Sequence, residues 1–265
     1  MAPPDGDRRF IPALMLSTAL IAGCKAPRPS ERPTLQVAAA ADLTLAFEEL
    51  GQLFEARTGQ KVTFSFGASG ALAKQLSQGA PFDLFAAANS AFVDSAVQAG
   101  ACDAASKASY ARGHLVVWSK RGGALVHSLS DLQRADIKHI AIANPEHAPY
   151  GKAAREALTH AGLWGALESK IVQAENVRQA LQFAQTGNAD VAIIARSLVA
   201  QDETGNQLAV EAALHGPIEQ TLVVCKHGKS SEGARAFAQL ALSSDGQALL
   251  ERYGFERSAA AHVGK

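Results

Sequence analysis

The sequence predicts an α/β protein in which mainly parallel sheets are flanked by helices. Three observations lead there. Short apolar runs bounded by turn residues alternate with stretches whose apolar residues recur every three or four positions, so strand and helix follow one another. At four points a strand ends in a short loop of small or polar residues and a helix starts at once: at Asp42, at Ser69, at Tyr150 with Gly151, and at Asn176 with Val177. The chain of 265 residues, 48% hydrophobic and 19% charged, is long enough for one large domain or two of about 100 residues each. A net charge of +0 without a dense Lys/Arg stripe argues against nucleic-acid binding, and an aromatic content of 6% leaves little for base stacking.

The elements follow in order. Residues 36–40 form a buried strand, and Asp42 sits where a helix N-cap belongs. Leu43, Phe47, Leu50 and Phe54 then fall on one helical face until Gly59 stops the helix. Val62, Phe64 and Phe66 alternate with Thr63 and Ser65 as a strand does, before a tight turn at residues 67–70. A helix over 71–78, a strand over 83–87 and a helix capped by Ser90 complete three strand–helix repeats. Further strands are expected at 115–118, 140–143, 171–173, 191–195 and 222–224. Helices are expected after Ser130, over 152–161 and 177–185, and near 232–242 and 246–252. Ligands of open parallel sheets sit beyond the carboxyl ends of strands. Two lobes facing each other would therefore place the four strand–helix junctions around one cleft, where helix N-termini attract an anion.

The N-terminus reads as a targeting segment. Arg8 and Arg9 form a basic region, and residues 10–22 an apolar run too short to span a bilayer. Residues 1–23 are thus expected to be a signal peptide. Ala22-Gly23-Cys24 resembles a bacterial lipobox, which makes Cys24 the expected lipidation site and residues 24–33, rich in proline and basic residues, a tether. Cys102 and Cys225 remain; in an exported protein they are a candidate pair, but nothing in the sequence fixes their distance.

Ser69 lies in Gly67-Ala68-Ser69-Gly70-Ala71, one glycine short of a nucleophile elbow. Asp190 and His215 follow it, yet nothing marks either as a partner. Three readings stay open: a hydrolase nucleophile, an anion-binding hydroxyl, or a plain helix cap. Gly228-Lys229-Ser230 lacks the first glycine of a P-loop and reads as a turn before a helix. His147 reads as a loop residue, and Cys225 with His227 has no second pair at zinc spacing.

Six motifs, in order, resemble the molybdate-binding proteins of bacterial ABC importers. They are Ala38-Ala-Ala-Ala-Asp-Leu-Thr44, Phe66-Gly-Ala-Ser-Gly-Ala-Leu-Ala-Lys-Gln-Leu76, Gly79-Ala-Pro-Phe-Asp-Leu-Phe85, Asn144-Pro-Glu-His-Ala-Pro-Tyr-Gly151, Ala174-Glu-Asn-Val-Arg-Gln-Ala-Leu181 and Arg252-Tyr-Gly-Phe255. The resemblance implies a two-lobed periplasmic-binding-protein fold of the second topological type. Residues 34–114 plus 219–265 would form lobe 1 and residues 115–218 lobe 2, with crossovers near His114 and Pro217. It implies a monomeric, non-enzymatic receptor in the periplasm or on the outer face of the membrane. Such a receptor delivers molybdate or tungstate to an ABC transporter permease, with no cofactor and no separate cation site. By motif, Ser69 would donate a hydroxyl, Tyr150 and Val177 backbone N–H groups, and Tyr150 its hydroxyl as well, because Ala195 stands where some relatives carry a tyrosine. Asp42 departs from the serine or threonine common at its position. A carboxylate about 4 Å from an anionic charge costs about 4 kcal/mol at an effective dielectric near 20, roughly a thousandfold in affinity. Either Asp42 turns back to cap its helix, or it accepts a hydrogen bond from a protonated oxyanion. The latter would favour phosphate over molybdate; another tetrahedral oxyanion such as sulfate is the alternative ligand.

Overall fold

The computed structural model describes Met1 and residues 32–258, so the expected signal peptide, Cys24 and all but the end of the tether lie outside the described residues. The described chain builds two sheets. Strands β1 (Leu35–Ala40), β2 (Val62–Gly67), β3 (Leu84–Ala87), β4 (Ala108–Gly113), β10 (Ile218–Val224) and β11 (Glu256–Arg257) form the first, in the order β11-β4-β10-β3-β1-β2. Strands β5 (Leu115–Lys120), β6 (Ile140–Ala143), β7 (Ile171–Ala174), β8 (Val191–Ala195) and β9 (Gly205–Ala209) form the second, in the order β7-β6-β8-β5-β9. Only His114 separates β4 in one sheet from β5 in the other, and β10 returns to the first sheet directly after Pro217.

This is the two-lobed α/β fold expected from the sequence. Each sheet has a parallel trio, β2-β1-β3 or β7-β6-β8, extended by antiparallel strands. Helices α1 (Thr44–Thr58), α2 (Ser69–Ser77), α3 (Ser90–Gln98), α7 (Ser231–Leu242) and α8 (Ser244–Arg252) belong with the first sheet, and α4 (Pro149–His160), α5 (Trp164–Leu167) and α6 (Val177–Thr186) with the second. The lobe 1 core is aromatic: Phe237 meets Phe47, Phe54 and Phe64 edge-on, with ring centroids 5.4–6.0 Å apart. The buried carboxylate of Asp83 joins three segments by accepting from the N–H groups of Gln36 (2.7 Å) and Ser230 (2.6 Å). Residues 228–230, the P-loop look-alike, are thus a turn held by Asp83.

Several boundaries moved for local reasons. Asn89, not Ser90, caps α3, accepting from the Ala91 N–H at 2.8 Å. Helix α4 starts at Pro149, three residues before the expected start, because proline suits the first turn, where its missing N–H has no intrahelical role. Strands β4 and β9 had no sequence signal: Ala-Ser-Tyr-Ala-Arg-Gly and Gly-Asn-Gln-Leu-Ala lack a run of large apolar residues.

Candidate functional site

Strand register brings the predicted junctions together. Ala40 at the end of β1 lies level with Gly67 at the end of β2, so the chain after each strand turns at the same height. Ala39 pairs with Ala86, which brings Ala88 alongside. In the other sheet Ala143 pairs with Ala174, which aligns the loops leading to α4 and α6. The result is a narrow cavity of about 10 Å³ lined by Asp42, Ser69 and Ala88 from one lobe and by Pro149, Tyr150, Asn176 and Val177 from the other. All four residues singled out in the sequence, Asp42, Ser69, Tyr150 and Val177, line it. The lobes also touch beside it. The Gly70 N–H donates to the His147 carbonyl (2.9 Å), and the Ser197 hydroxyl donates to the Asp42 carbonyl (2.8 Å).

Three of the four junctions present a donor. The Ser69 oxygen accepts from the Ala88 N–H (3.1 Å), which leaves its hydroxyl proton free to donate into the cavity. Among the described residues, no histidine or carboxylate bonds to this hydroxyl. Asp190 accepts from the N–H groups of Lys138 and His139, His215 bonds the Gly216 carbonyl, and His147 is exposed. In α4 the cap, Ala148, offers no side-chain acceptor and Pro149 has no N–H, so the Tyr150 N–H is the first donor of the helix. In α6 the Asn176 side chain accepts from the N–H groups of Arg178 and Gln179, both at 3.1 Å, leaving the Val177 N–H at the cavity wall. Gly151 permits the packing of α4, because a Cβ there would lie 2.0 Å from the Ala143 carbonyl oxygen.

Asp42 does not cap α1. It sits in the single 3-10 turn Ala41–Leu43 that precedes the helix, 1% exposed, and the α1 N-cap is Leu43 with no side-chain hydrogen bond. The carboxyl reaches instead to Gln220 on β10, whose amide donates to it at 2.7 Å. Asp42 lines the cavity while one carboxyl oxygen is tied to Gln220, which does not line it. The expected helix cap gives way to a contact with the strand that links the lobes. The reason is steric and polar together: the 3-10 turn rotates residue 42 inward, where the nearest polar partner is Gln220.

The Tyr150 hydroxyl lies beside Asp42. A Cβ on Gly113 would lie 2.0 Å from it, so the ring tip has driven to the end of β4. Asp42 Oδ1, Tyr150 Oη, Tyr110 Oη and Gln220 Oε1 are all buried without a well-formed hydrogen bond. Burial pushes the Asp42 carboxyl up to about 7, against the opposing pull of the Tyr150 hydroxyl, its own N–H and Gln220. Burial also holds Tyr150 and Tyr110 well above their ordinary value, with the nearby Asp42 charge adding to it, so both phenols stay neutral.

Sequence reasoning missed Gln220, Tyr110, Gly113, Ser197 and Ala88. Tyr110 lies on a strand that had no sequence signal, and Gln220 lies before the expected start of its strand at 222. Only the proximity of residues 110–113 to the crossover at His114 offered a hint that they approach the cleft.

Two lobes joined by short crossovers, with strand–helix junctions facing across a narrow cavity, define a solute-binding protein of periplasmic type. A profile of bacterial extracellular solute-binding proteins matches residues 35–256, and the chain belongs to that family. It is 36% identical over 227 residues to a molybdate-binding protein of Rhodobacter capsulatus, covering 86% of this chain and 90% of the relative. It is 34% identical over 256 residues to a putative ABC transporter substrate-binding lipoprotein of Bacillus subtilis, covering 93% and 96%. Its fold is similar to that of the periplasmic molybdate-binding protein of Azotobacter vinelandii, with a TM-score of 0.79 and 30% identity over 83% of this chain and 98% of that one.

Proposed function

We propose that this protein captures molybdate or tungstate outside the cytoplasm and hands it to an ABC transporter permease, without acting as an enzyme. The observation that carries this reading is the convergence of the Ser69 hydroxyl with the first N–H groups of α4 and α6 on one small cavity. Neutral donors aimed inward replace the water around a tetrahedral dianion without a counter-cation. Names borne by relatives at 36% and 34% identity support the ligand and the transporter.

Capture works by closure. The lobes built around the first and the second sheet each contribute donors, so the anion is fully enclosed only when they meet. It stabilises the closed state by as much as its affinity for closed exceeds that for open. The permease then recognises the closed surface. Lipidation at Cys24 would hold the receptor at the membrane, as the name of the Bacillus relative suggests for that protein.

The test is calorimetric titration of purified protein with molybdate, tungstate, sulfate and phosphate, paired with thermal shifts. Saturable binding of molybdate or tungstate with weak sulfate binding is expected. Tight phosphate binding without molybdate binding overturns the proposal.

A further inference from the structure

Cys102 and Cys225 have no role in the cavity, yet the fold brings them face to face. They form an isolated antiparallel bridge between the segment leaving α3 and the end of β10. The flanking bonds run from the Asp103 N–H to the Val224 carbonyl (2.9 Å) and from the Lys226 N–H to the Ala101 carbonyl (2.8 Å). That makes Cys102 and Cys225 a non-hydrogen-bonded pair, for which Cα atoms lie about 4.5 Å apart. A disulfide accepts that spacing. Both residues are buried, and their sulfurs are in contact at 2.7 Å.

We propose that Cys102 and Cys225 are joined by a structural disulfide in the exported protein. The compartment favours it, because the family is extracellular and thiols outside the cytoplasm meet dithiol–disulfide oxidants. In the reaction, each cysteine loses its S–H proton and the Cys102–Cys225 bond forms. The oxidant's S–S bond breaks, and its two sulfurs leave as thiols carrying the two hydrogens. Neither sulfur is accessible once lobe 1 has packed, so the bond forms during folding and is afterwards shielded from soluble reductants.

The position explains what the bond would do. The 123-residue separation encloses β4 and all five strands of the second sheet. The first sheet is therefore assembled from two chain segments joined through the whole second lobe. A covalent link between them keeps the halves of lobe 1 together when the lobe opens, and a long closed loop is where a cross-link most restricts the unfolded chain. The bond lies at the far end of β10 from Gln220, so it braces that strand without touching the cavity.

The test uses full-length protein purified from the cell envelope in detergent, with free thiols alkylated before lysis and no reductant present. Tryptic mapping should recover peptide 75–107 linked to peptide 197–226, two hydrogens lighter than the sum. Both peptides recovered separately with alkylated cysteines, or either cysteine joined to another thiol, overturns the proposal. A second measurement compares wild type with the Cys102→Ala/Cys225→Ala double variant. Oxidised wild type should melt at a higher temperature than the variant, and refolding from urea with reductant should lower the wild-type midpoint only. Equal midpoints for the oxidised wild type and the variant, or an equal loss in both with reductant, sink the idea.

Discussion

The buried acid beside the cavity makes ligand affinity a function of pH. The Asp42 carboxyl is closed in by Gln220 from β10, Tyr150 from α4 and Tyr110 from β4, and its pKa rises from the ordinary 3.8 to about 7. When the lobes separate, Tyr150 leaves with its own lobe and the carboxyl returns toward its solvated value of about 3.9. The closed state thus binds a proton that the open state lacks. Deprotonation opposes closure, so affinity is highest below pH 4 and falls about tenfold per pH unit as pH rises toward 7. Above 7 it levels off, with the closed state carrying a penalty of about 4 kcal/mol. A dianion in the cavity pushes the carboxyl pKa further in the same direction. Between pH 8 and pH 6 the affinity should rise at least about tenfold, and calorimetry in buffers of different ionisation enthalpy should report uptake of at least about half a proton per ligand at pH 7. Asp42→Asn keeps an oxygen to accept from Gln220 and removes the charge. It should bind at least as tightly as wild type at pH 8, with no slope. Wild-type affinity that is flat from pH 6 to 8, or a slope that survives in Asp42→Asn, refutes the reasoning.

Other perturbations separate ligand binding from folding. Ser69→Ala removes the hydroxyl donor and leaves the buried Ala88 N–H unpaired; calorimetry should show a loss of about ten- to hundredfold in affinity, as a hydrogen bond to a charged group is worth about 1.5–3 kcal/mol. Gly151→Ala forces a Cβ against the Ala143 carbonyl; helix α4 must shift, and affinity should fall more than the thermal midpoint does. Asp83→Ala strands the N–H groups of Gln36 and Ser230; urea unfolding should show about 2–5 kcal/mol of lost stability. Phe237→Ala empties the centre of the aromatic cluster in lobe 1 and should cost about 3–5 kcal/mol in the same assay, with ligand affinity of the surviving folded protein little changed.

The parts of this protein that the sequence shows are those governed by short-range rules. Strand β1 and helix α1 carry their own periodicity, and Ser69, Tyr150 and Val177 are marked because a helix start must follow a strand end at each. What stayed hidden depends on contacts distant in sequence. Gln220 matters only because β10 lies between β3 and β4, putting it 178 residues away from Asp42 yet at hydrogen-bond distance. No local pattern encodes that. Asp42 itself was legible as an anomaly but misassigned: an acid before a helix reads as a cap, and only the 3-10 turn turns it inward.

That misassignment bears on how a receptor for a dianion tolerates an acid at its cavity. A charged Asp42 facing the ligand would cost about 4 kcal/mol by simple repulsion. Three features lower that cost together. The Gln220 amide draws the carboxyl toward β10, burial favours its neutral form, and the Tyr150 hydroxyl lies against the same cluster. The last point has a consequence for the donor set. With Ala195 in place of a tyrosine and the Tyr150 phenol turned to Gly113, Ser69 carries the one aliphatic hydroxyl among the described residues that line the cavity. The backbone N–H groups of the helix starts must supply the rest. Discrimination among oxyanions then rests on the cavity's size and on backbone positions, which a substitution alters only by moving a helix. Loss at Gly151→Ala should accordingly fall on molybdate, tungstate and sulfate alike, whereas loss at Ser69→Ala should be greatest for the ion whose oxygen best reaches that hydroxyl. Titrating both variants with all three ions distinguishes the two kinds of contact; equal loss across ions at Ser69→Ala would place selectivity entirely in the backbone.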